Sequence, residues 1–167
     1  KRLVESGAIS GSKADAWKEA MAEEAEVAAI RAKAEGGDAV ATRQLGLSYR
    51  NGTRGLKQDY TQAFMWLKRA ADLKDLRALS ECGFAYIRGQ GVEPSDVRGS
   101  ALIGMAAVLG SEHACGILGW ANARGHNGFE KNPQEATRWY REMQKCAGGD
   151  STDGTRKQAT EWLREHP

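Results

Sequence analysis

The chain has 167 residues with 24 basic and 22 acidic side chains, so its formal net charge is only +2. This length suits one domain with a sizeable core, and a composition of 41% hydrophobic and 28% charged residues excludes a disordered chain. No stretch approaches the roughly 20 apolar residues that a membrane-spanning helix needs. The nearly balanced charge predicts no nucleic-acid partner.

The cysteines bear on the cellular compartment. Cys82, Cys115 and Cys146 are an odd number at wide spacing, which does not resemble a disulfide framework, and a reducing compartment (the cytoplasm or an organelle interior) is therefore favoured. The acceptor-type triplet at 51–53 would count against this only in a secretory lumen. The chain opens at Lys1 without a methionine, so we expect a processed product or a piece of a longer chain, whose compartment stays unknown.

The first predicted element is a long alanine-rich helix over 13–35. Ser12, with Asp15 three residues later, is typical of a helix start. We expect residues 1–36 to form an N-terminal capping helix, or to complete an upstream repeat through Ala14 and Trp17.

Next, a unit of helix, glycine loop and helix recurs three times, at intervals of 36 or 37 residues. The first helices carry Leu45-Gly46, Cys82-Gly83 and Leu118-Gly119 at matching offsets. We expect repeats at 37–73, 74–109 and 110–146, with helices near 38–51, 59–73, 75–88, 96–109, 112–124 and 133–146. Residues 147–167 are expected to hold a linker and a C-terminal capping helix, near 155–165, that faces the stack through Ala159, Trp162 and Leu163.

Local signals support these boundaries. Glycine adopts positive φ without steric cost, so three glycines are expected to end the first helices: Gly52, Gly89 and Gly125. Asp59 with Gln62, and Asn132 with Glu135, predict capping boxes at the start of two second helices.

Small residues inside the helices predict close packing. A glycine inside a helix costs about 1 kcal/mol relative to alanine, so Gly46, Gly83 and Gly119 in register indicate that two helices approach closely there. The second helices have alanine pairs at 70–71 and 106–107 for the same reason, and Trp66 and Trp139 are expected to fill the space beside all these small positions. A single repeat cannot bury its apolar faces alone, so the units must stack.

The pattern Ala-x-x-x-Leu-Gly-x-x-Tyr-x-x-Gly, a glycine loop, and Asp-x-x-x-Ala-x-x-Trp-x-x-x-Ala-Ala resembles the Sel-one-like repeat family over residues 37–146. Tetratricopeptide repeats, with a 34-residue period, fit less well. The resemblance implies an all-α fold, a right-handed α-solenoid, that works as an adaptor docking other proteins on a concave face. The second repeat departs from the pattern with Gly99 and Leu102, and the third has Asn122 in place of tyrosine.

Two segments invite a catalytic interpretation. The loop GTRGLK, at 52–57, has glycines and a lysine but lacks the order of a phosphate-binding loop. The stretch 111–115 joins possible nucleophile and base types, but His113 and Cys115 stand about 200° apart on a helix. A helix start with a buried Cys115 is the favoured interpretation. The two other histidines lack partners at metal-ligand spacing, so no metal or cofactor is expected.

A stripe along the first helices is the better candidate for a site, because side chains at i, i+4, i+7 and i+11 share one face. The candidate partner-binding residues are Gln44, Leu47, Arg77, Glu81, Phe84, Arg88, His113, Ile117, Trp120 and Arg124. If this stripe lines the concave face, Phe84, Ile117 and Trp120 form an anchor with arginines at its rim. Alternatively, the large apolar members pack between neighbouring first helices as core, and the sequence favours this second interpretation.

Charge is unevenly spread. Residues 36–73 carry six basic and three acidic side chains, a local excess of +3. The basic residues are Arg43, Arg50, Arg54, Lys57, Lys68 and Arg69. They could meet an acidic partner, although a solvated face is the simpler interpretation.

These patterns predict a non-enzymatic scaffold that docks a protein or peptide on its repeat surface, alone or as a subunit of a larger complex. The alternative is a structural repeat domain that braces another domain of a longer chain. An enzyme that uses its repeat loops is the third hypothesis.

Overall fold

The computed structural model describes residues 11–126, 128–146 and 153–166, and within these ranges it contains eight α-helices and no strand. Each helix lies within two residues of its predicted bounds. The helices are α1 (Gly11–Glu35), α2 (Ala39–Asn51), α3 (Tyr60–Asp72), α4 (Leu76–Arg88), α5 (Asp96–Val108), α6 (Glu112–Arg124), α7 (Pro133–Lys145) and α8 (Asp153–Glu165).

The helices pack in the order in which they occur in the chain. α2 packs on α3, α4 on α5 and α6 on α7, which gives three antiparallel pairs. α3 then packs on α4, and α5 on α6, so the pairs form a continuous stack. α1 covers α2 at one end, while α8 contacts both α6 and α7 at the other. The architecture is an all-α solenoid, as the repeats predicted.

Each helix of the three pairs starts with a side-chain cap. An aspartate, serine or asparagine precedes the first helical residue, and its side chain accepts a hydrogen bond from the amide three residues later. The capping residues are Asp38, Asp59, Asp75, Ser95, Ser111 and Asn132. The first half of the two predicted capping boxes is therefore confirmed.

The second half of those boxes is replaced by a bond between helices. The backbone N–H of Asp59 donates to the Tyr49 carbonyl at 2.9 Å, and that of Asn132 donates to the Asn122 carbonyl at 2.8 Å. In the middle pair the N–H of Ser95 donates to Tyr86 in the same way. Each loop is thus closed by a main-chain bond from the start of the second helix to the end of the first. The third repeat has Asn122 where the other two repeats have tyrosine. The bond still forms, because its acceptor is the backbone carbonyl of this residue.

Glycine ends the first helices, as predicted. Gly52, Gly89 and Gly125 adopt φ of 64°, 63° and 72°, in the left-handed region. Each donates its N–H to the carbonyl four residues earlier, which satisfies a helix-end acceptor.

The interior glycines mark the closest helix contacts. A Cβ on Gly46 would lie 2.8 Å from the Leu67 side chain, and one on Gly119 would lie 2.5 Å from the Tyr140 ring. A Cβ on Gly83 would stand 2.7 Å from the Gly99 carbonyl oxygen. No real side chain tolerates such distances, so glycine is required for the two helices of each pair to approach this closely.

The residue that fills the space beside these glycines is not the tryptophan. Leu67 and Tyr140 each follow a tryptophan by one position, and both are almost completely buried. Trp139 is only partly buried and Tyr140 takes the place beside Gly119, so the prediction is wrong for the glycines, while for the alanine pairs it stays a prediction. Trp66 is buried at 7% exposure, but it packs in a cluster with Ala34, Ala41 and Leu45. A helix advances about 100° per residue, which explains why neighbouring positions face different partners.

Only the C-terminal half of α1 packs on the stack. Ala34 and Val27 are buried and stand 36 residues before Ala70 and Ala63, so this half occupies the position of a second helix. Trp17, by contrast, is 66% exposed and has no part in the packing of α1 on the stack. That it completes an upstream repeat stays a prediction. The side chain of Ala14 lies outside what the structure describes.

The start of α1 also differs from prediction. The described part of α1 already includes Gly11, so the helix does not begin at the position predicted from Ser12.

At the other end α8 packs on the third pair. Ala159 is buried there, and the Trp162 indole N–H donates to the Thr137 hydroxyl at 3.1 Å. Arg156 reaches the buried Glu112 on α6 with two hydrogen bonds, one of them 2.7 Å long. The predicted linker, AGGDSTDGTR at 147–156, lies outside the described residues over 147–152, and over 153–156 the prediction is wrong because these residues form the first turn of α8.

Replacing Gly119 by alanine should destabilise the chain. Alanine gains helix propensity, but its methyl group must displace the Tyr140 ring, and overpacking of this kind costs about 1–3 kcal/mol. The free energy of unfolding, measured by urea denaturation, tests this. Gly104→Ala on α5 is the matched control: its Cβ meets nothing within 4 Å, so the same change should stabilise by up to about 1 kcal/mol. Equal effects at both sites would contradict the close-approach explanation.

Candidate functional site

Two adjoining cavities lie on the side of the stack formed by the first helices α2, α4 and α6. One has a volume of about 400 Å³ and the other about 250 Å³, and they share Phe84, Arg88 and His113. Together they form what we call the first-helix groove. Its lining residues are Arg50, Asn51, Gln58, Tyr60, Arg77, Glu81, Phe84, Arg88, Gln90, His113, Gly116, Ile117, Trp120, Thr155 and Gln158.

The groove brings together seven of the ten candidate residues from the sequence: Arg77, Glu81, Phe84, Arg88, His113, Ile117 and Trp120. The other three lie elsewhere. Leu47 is partly buried against the cluster of Leu67, Ala70, Ala78 and Cys82, so its side chain contributes to the core. Gln44 is exposed outside both cavities, and Arg124 is exposed beside Trp120.

Glu81 is the electrostatic centre of the groove. It is only 5% exposed and receives a hydrogen bond from Arg50 of the preceding first helix. Arg77, one turn away on α4, places Nε 3.9 Å from its carboxylate, and His113 of the following first helix places Nε2 3.5 Å from it. One carboxylate therefore joins the first helices of three consecutive pairs.

This setting holds Glu81 ionised. Burial alone raises the pKa of its carboxyl group, because a charge is poorly solvated there. The hydrogen bond from His113 and the charge of Arg50 outweigh burial and lower the pKa from 4.5 to about 2. The carboxylate is thus a fixed negative charge over the physiological pH range.

Beside this centre the groove has an aromatic side with arginines stacked on it. The Arg88 guanidinium lies 5.4 Å from the centre of the Phe84 ring, and that of Arg124 lies 5.5 Å from Trp120. Both pairs span one helical turn, and they occupy equivalent positions 36 residues apart. The Trp120 ring also stacks on His126 at 5.1 Å. Such stacking holds flexible arginine side chains over apolar rings.

Several groove residues were missed by the sequence reasoning. Tyr60, Gln58 and Gln90 come from the loops and the start of α3, and the Gln58 amide donates to the Arg50 carbonyl at 2.8 Å. Thr155 and Gln158 come from α8. The basic excess of the first repeat was a signal for Arg50, but no sequence pattern indicated that α8 would reach the groove.

Three of the basic residues in the first repeat form ion pairs with neighbouring helices. Arg43 pairs at 2.9 Å with Asp75, the residue that caps α4, and Arg54 pairs at 2.7 Å with Glu26 of α1. The side chains of Arg43 and Arg50 are largely sheltered, so the interpretation as a purely solvated face is wrong for these two residues. The ion pairs tie the first repeat to its neighbours.

The candidate catalytic residues lie on different sides of α6. His113 lines the groove, whereas Cys115 is 1% exposed and its thiol lies 3.8 Å from the Ala107 carbonyl on α5. The described residues contain no cluster of three or more histidine, cysteine or acidic side chains that could hold a metal ion. Among the same residues, no helix combines the length and apolar character needed to cross a bilayer.

The buried Glu81 should make stability depend on acid pH. Glu81→Gln leaves Arg50 without its charged partner and should cost on the order of 3 kcal/mol at pH 7, as for other broken buried pairs. Since the folded pKa is below the unfolded one, this contribution is complete above about pH 4.5 and is lost as pH falls towards 2.

Urea denaturation at pH 7, 4 and 3 checks this. The stability gap between the native chain and Glu81→Gln should narrow as pH falls. Glu93→Gln, a change at an exposed position in the loop before α5, should alter stability by less than about 0.5 kcal/mol at every pH. A gap that is constant with pH would show that Glu81 is not held ionised by these partners.

Comparison with known proteins agrees with the repeat architecture. The family model of the Sel1 repeat matches residues 39–75, 76–107 and 113–143. The chain is 39% identical over 59 residues to the ERAD-associated E3 ubiquitin-protein ligase component HRD3A of Arabidopsis thaliana, a match that covers 35% of this chain and 9% of that protein.

Two solved structures are similar over 84% of the chain, each at 26% identity. One is a Sel1 repeat protein from Oxalobacter formigenes, with a TM-score of 0.62 and 64% of its chain covered. The other is a protective antigen of uropathogenic Escherichia coli strains that displays an SLR fold, with a TM-score of 0.61 and 33% of its chain covered. The chain spans less than two thirds of each of these relatives. With three matched repeats over more than half of its length, the chain belongs to the Sel1 repeat family.

Proposed function

We propose that the chain is a scaffold that docks a protein or peptide segment in the first-helix groove. Sel1 repeat proteins generally mediate protein–protein interaction. The observation that supports this site is that one groove has both an apolar floor and a charged rim. Phe84, Ile117 and Trp120 supply the floor, and arginines stand beside it. Buried aromatic and arginine side chains are the residue types that dominate binding energy in interfaces.

The candidate residues along the first helices divide between the two interpretations, as part of a binding groove or as part of the core. Leu47 packs in the core. Phe84 is half-buried against the large core cluster and still lines both cavities, so it serves both roles. Trp120 keeps partial exposure at the groove and is absent from the buried core. Trp120 is therefore the residue on which the docking proposal depends most.

Sel1 repeat proteins are typically non-catalytic scaffolds, and the proposed scaffold role assigns the same character to this chain. A nucleophile and a base must lie within hydrogen-bond reach to act together. His113 faces Glu81 in the groove, and Cys115 is buried between α6 and α5, so this pair does not meet the requirement.

A second candidate function is bracing of a neighbouring domain, and the exposed half of α1 favours it. Trp17 and Met21 lie one turn apart on this helix and are 66% and 50% exposed. Aromatic and methionine side chains at one exposed face are typical of a contact surface. Under this hypothesis α1, and not the groove, carries the main contact.

A capture experiment separates these functions. The native chain is immobilised and incubated with extract of its source, in parallel with Trp120→Ala and with the double variant Phe84→Ala, Trp120→Ala. We expect a specific protein to be retained by the native chain and lost with Trp120→Ala, because truncation of a central aromatic anchor costs about 2 kcal/mol or more. Thermal melting of each variant shows whether the fold survives.

Two surface variants serve as controls. Val97→Ala on α5 should leave capture unchanged, since Val97 is 81% exposed and lines neither cavity of the groove. Trp17→Ala with Met21→Ala should also leave it unchanged. Loss of capture in the α1 variant, with retention by Trp120→Ala, would favour the bracing function. Collapse of the fold in Trp120→Ala would return Trp120 to a core role.

A further inference from the structure

The groove carries an excess of positive charge. Among the described residues that line it, the ionisable side chains with a fixed charge are Arg50, Arg77, Arg88 and Glu81. Three guanidinium groups face a single carboxylate, which leaves two positive charges before His113 is counted. Arg124 adds a further guanidinium at the edge, over Trp120. The chain as a whole is nearly neutral at +2, so this local excess is a property of the groove.

The one carboxylate is already committed to the fold. Glu81 is buried and shared between Arg50 and His113, from the first helices on either side of its own. Arg88 lies one helical turn beyond Phe84, exposed at the wall common to both cavities. The positive charge at the groove mouth is therefore displayed towards solvent, where an incoming partner meets it.

Charge and apolar surface alternate along this mouth. Arg88 over Phe84 is followed, one repeat later, by Arg124 over Trp120. An arginine fixed over a ring offers a planar fork of N–H donors, which binds carboxylates with two parallel hydrogen bonds. The ring beneath, and Ile117 beside it, offer contact to a large apolar side chain. A ligand that matches this pattern carries carboxylates next to apolar residues.

We propose that the occupant of the first-helix groove is an acidic peptide segment, in which aspartate or glutamate side chains flank a leucine or an aromatic residue. This inference rests on the proposed docking function and adds the chemistry of the partner. The carboxylates pair with Arg88 and Arg124, and the apolar side chain lies in the cavity of Ile117 and Trp120. A basic segment is repelled by the same guanidinium groups, so the groove selects between partners by charge.

Peptide selection tests this chemistry directly, because it requires no identified partner. The probe is a display library of random 12-residue peptides, selected on the immobilised chain, with sequences that also bind the Trp120→Ala variant removed. We expect the enriched peptides to carry two or more acidic residues beside a leucine or aromatic residue. The best peptide is then synthesised with a fluorophore, together with its form in which every acidic residue is replaced by the amide.

Fluorescence anisotropy gives the dissociation constants. The acidic peptide should bind at least tenfold more tightly than its amide form, with affinity that falls as salt is raised. Arg88→Glu with Arg124→Glu should weaken binding of the acidic peptide at least tenfold. Arg138→Glu is the matched control: Arg138 also lies over a ring, Trp139 at 5.6 Å, but it lines a cavity on the α5–α7 side and should change affinity less than twofold.

The outcomes separate the two proposals. Enrichment of neutral or basic peptides that require Trp120 would overturn the acidic partner and leave the docking function standing. Failure to enrich any peptide dependent on Trp120 would overturn the acidic partner as well, while the capture experiment decides on the docking function independently. Equal loss of affinity in Arg138→Glu and in the double arginine variant would show a general charge effect and would also overturn the inference.

Discussion

The close approach of the two helices in each repeat determines the rest of the structure. Each first helix has a glycine where its second helix crosses it, and there is no room for even a methyl group at Gly46, Gly83 or Gly119. Leu67 and Tyr140 occupy the space that a side chain on the glycine would take. Because the pairs are this tight, consecutive first helices line up on one side of the stack, and the groove lies between their outward side chains.

The first helices both hold the fold together and line the groove, and they do so through different atoms: backbone for the fold and side chains for the groove. Main-chain bonds from Asp59 to Tyr49, and from Asn132 to Asn122, close the loops without using side chains. This leaves the side chains near the ends of the first helices available for surface roles, and two arginines stack on aromatic rings there. The scaffold is thus fixed by backbone and glycine, while the repeats differ in the residues that they present at the groove.

Much of the fold followed from periodicity, because glycine, alanine and capping residues recur at fixed offsets and each has a local physical cause. The residue that packs beside each glycine could not be predicted in this way. Neighbouring side chains on a helix point about 100° apart, and sequence spacing alone does not show whether Trp66 or Leu67 faces the glycine. Of the ten candidate residues predicted from helical spacing, seven line the groove. The contribution of α8 depends on long-range packing through Arg156 and Glu112, which no local pattern encodes.

The shared carboxylate of Glu81 has a consequence for how the stack comes apart. In a linear array each repeat contacts only its neighbours, so the ends tend to fray independently. Glu81, in the middle repeat, pairs with a side chain of the first helix on each side, so one carboxylate joins the middle repeat to both of its neighbours. Loss of either terminal pair removes a partner from a buried charge in the middle, which raises the free energy of the forms in which that pair is unfolded. The array is thereby biased towards cooperative, all-or-none melting, and the charge responsible for this bias lies in the first-helix groove.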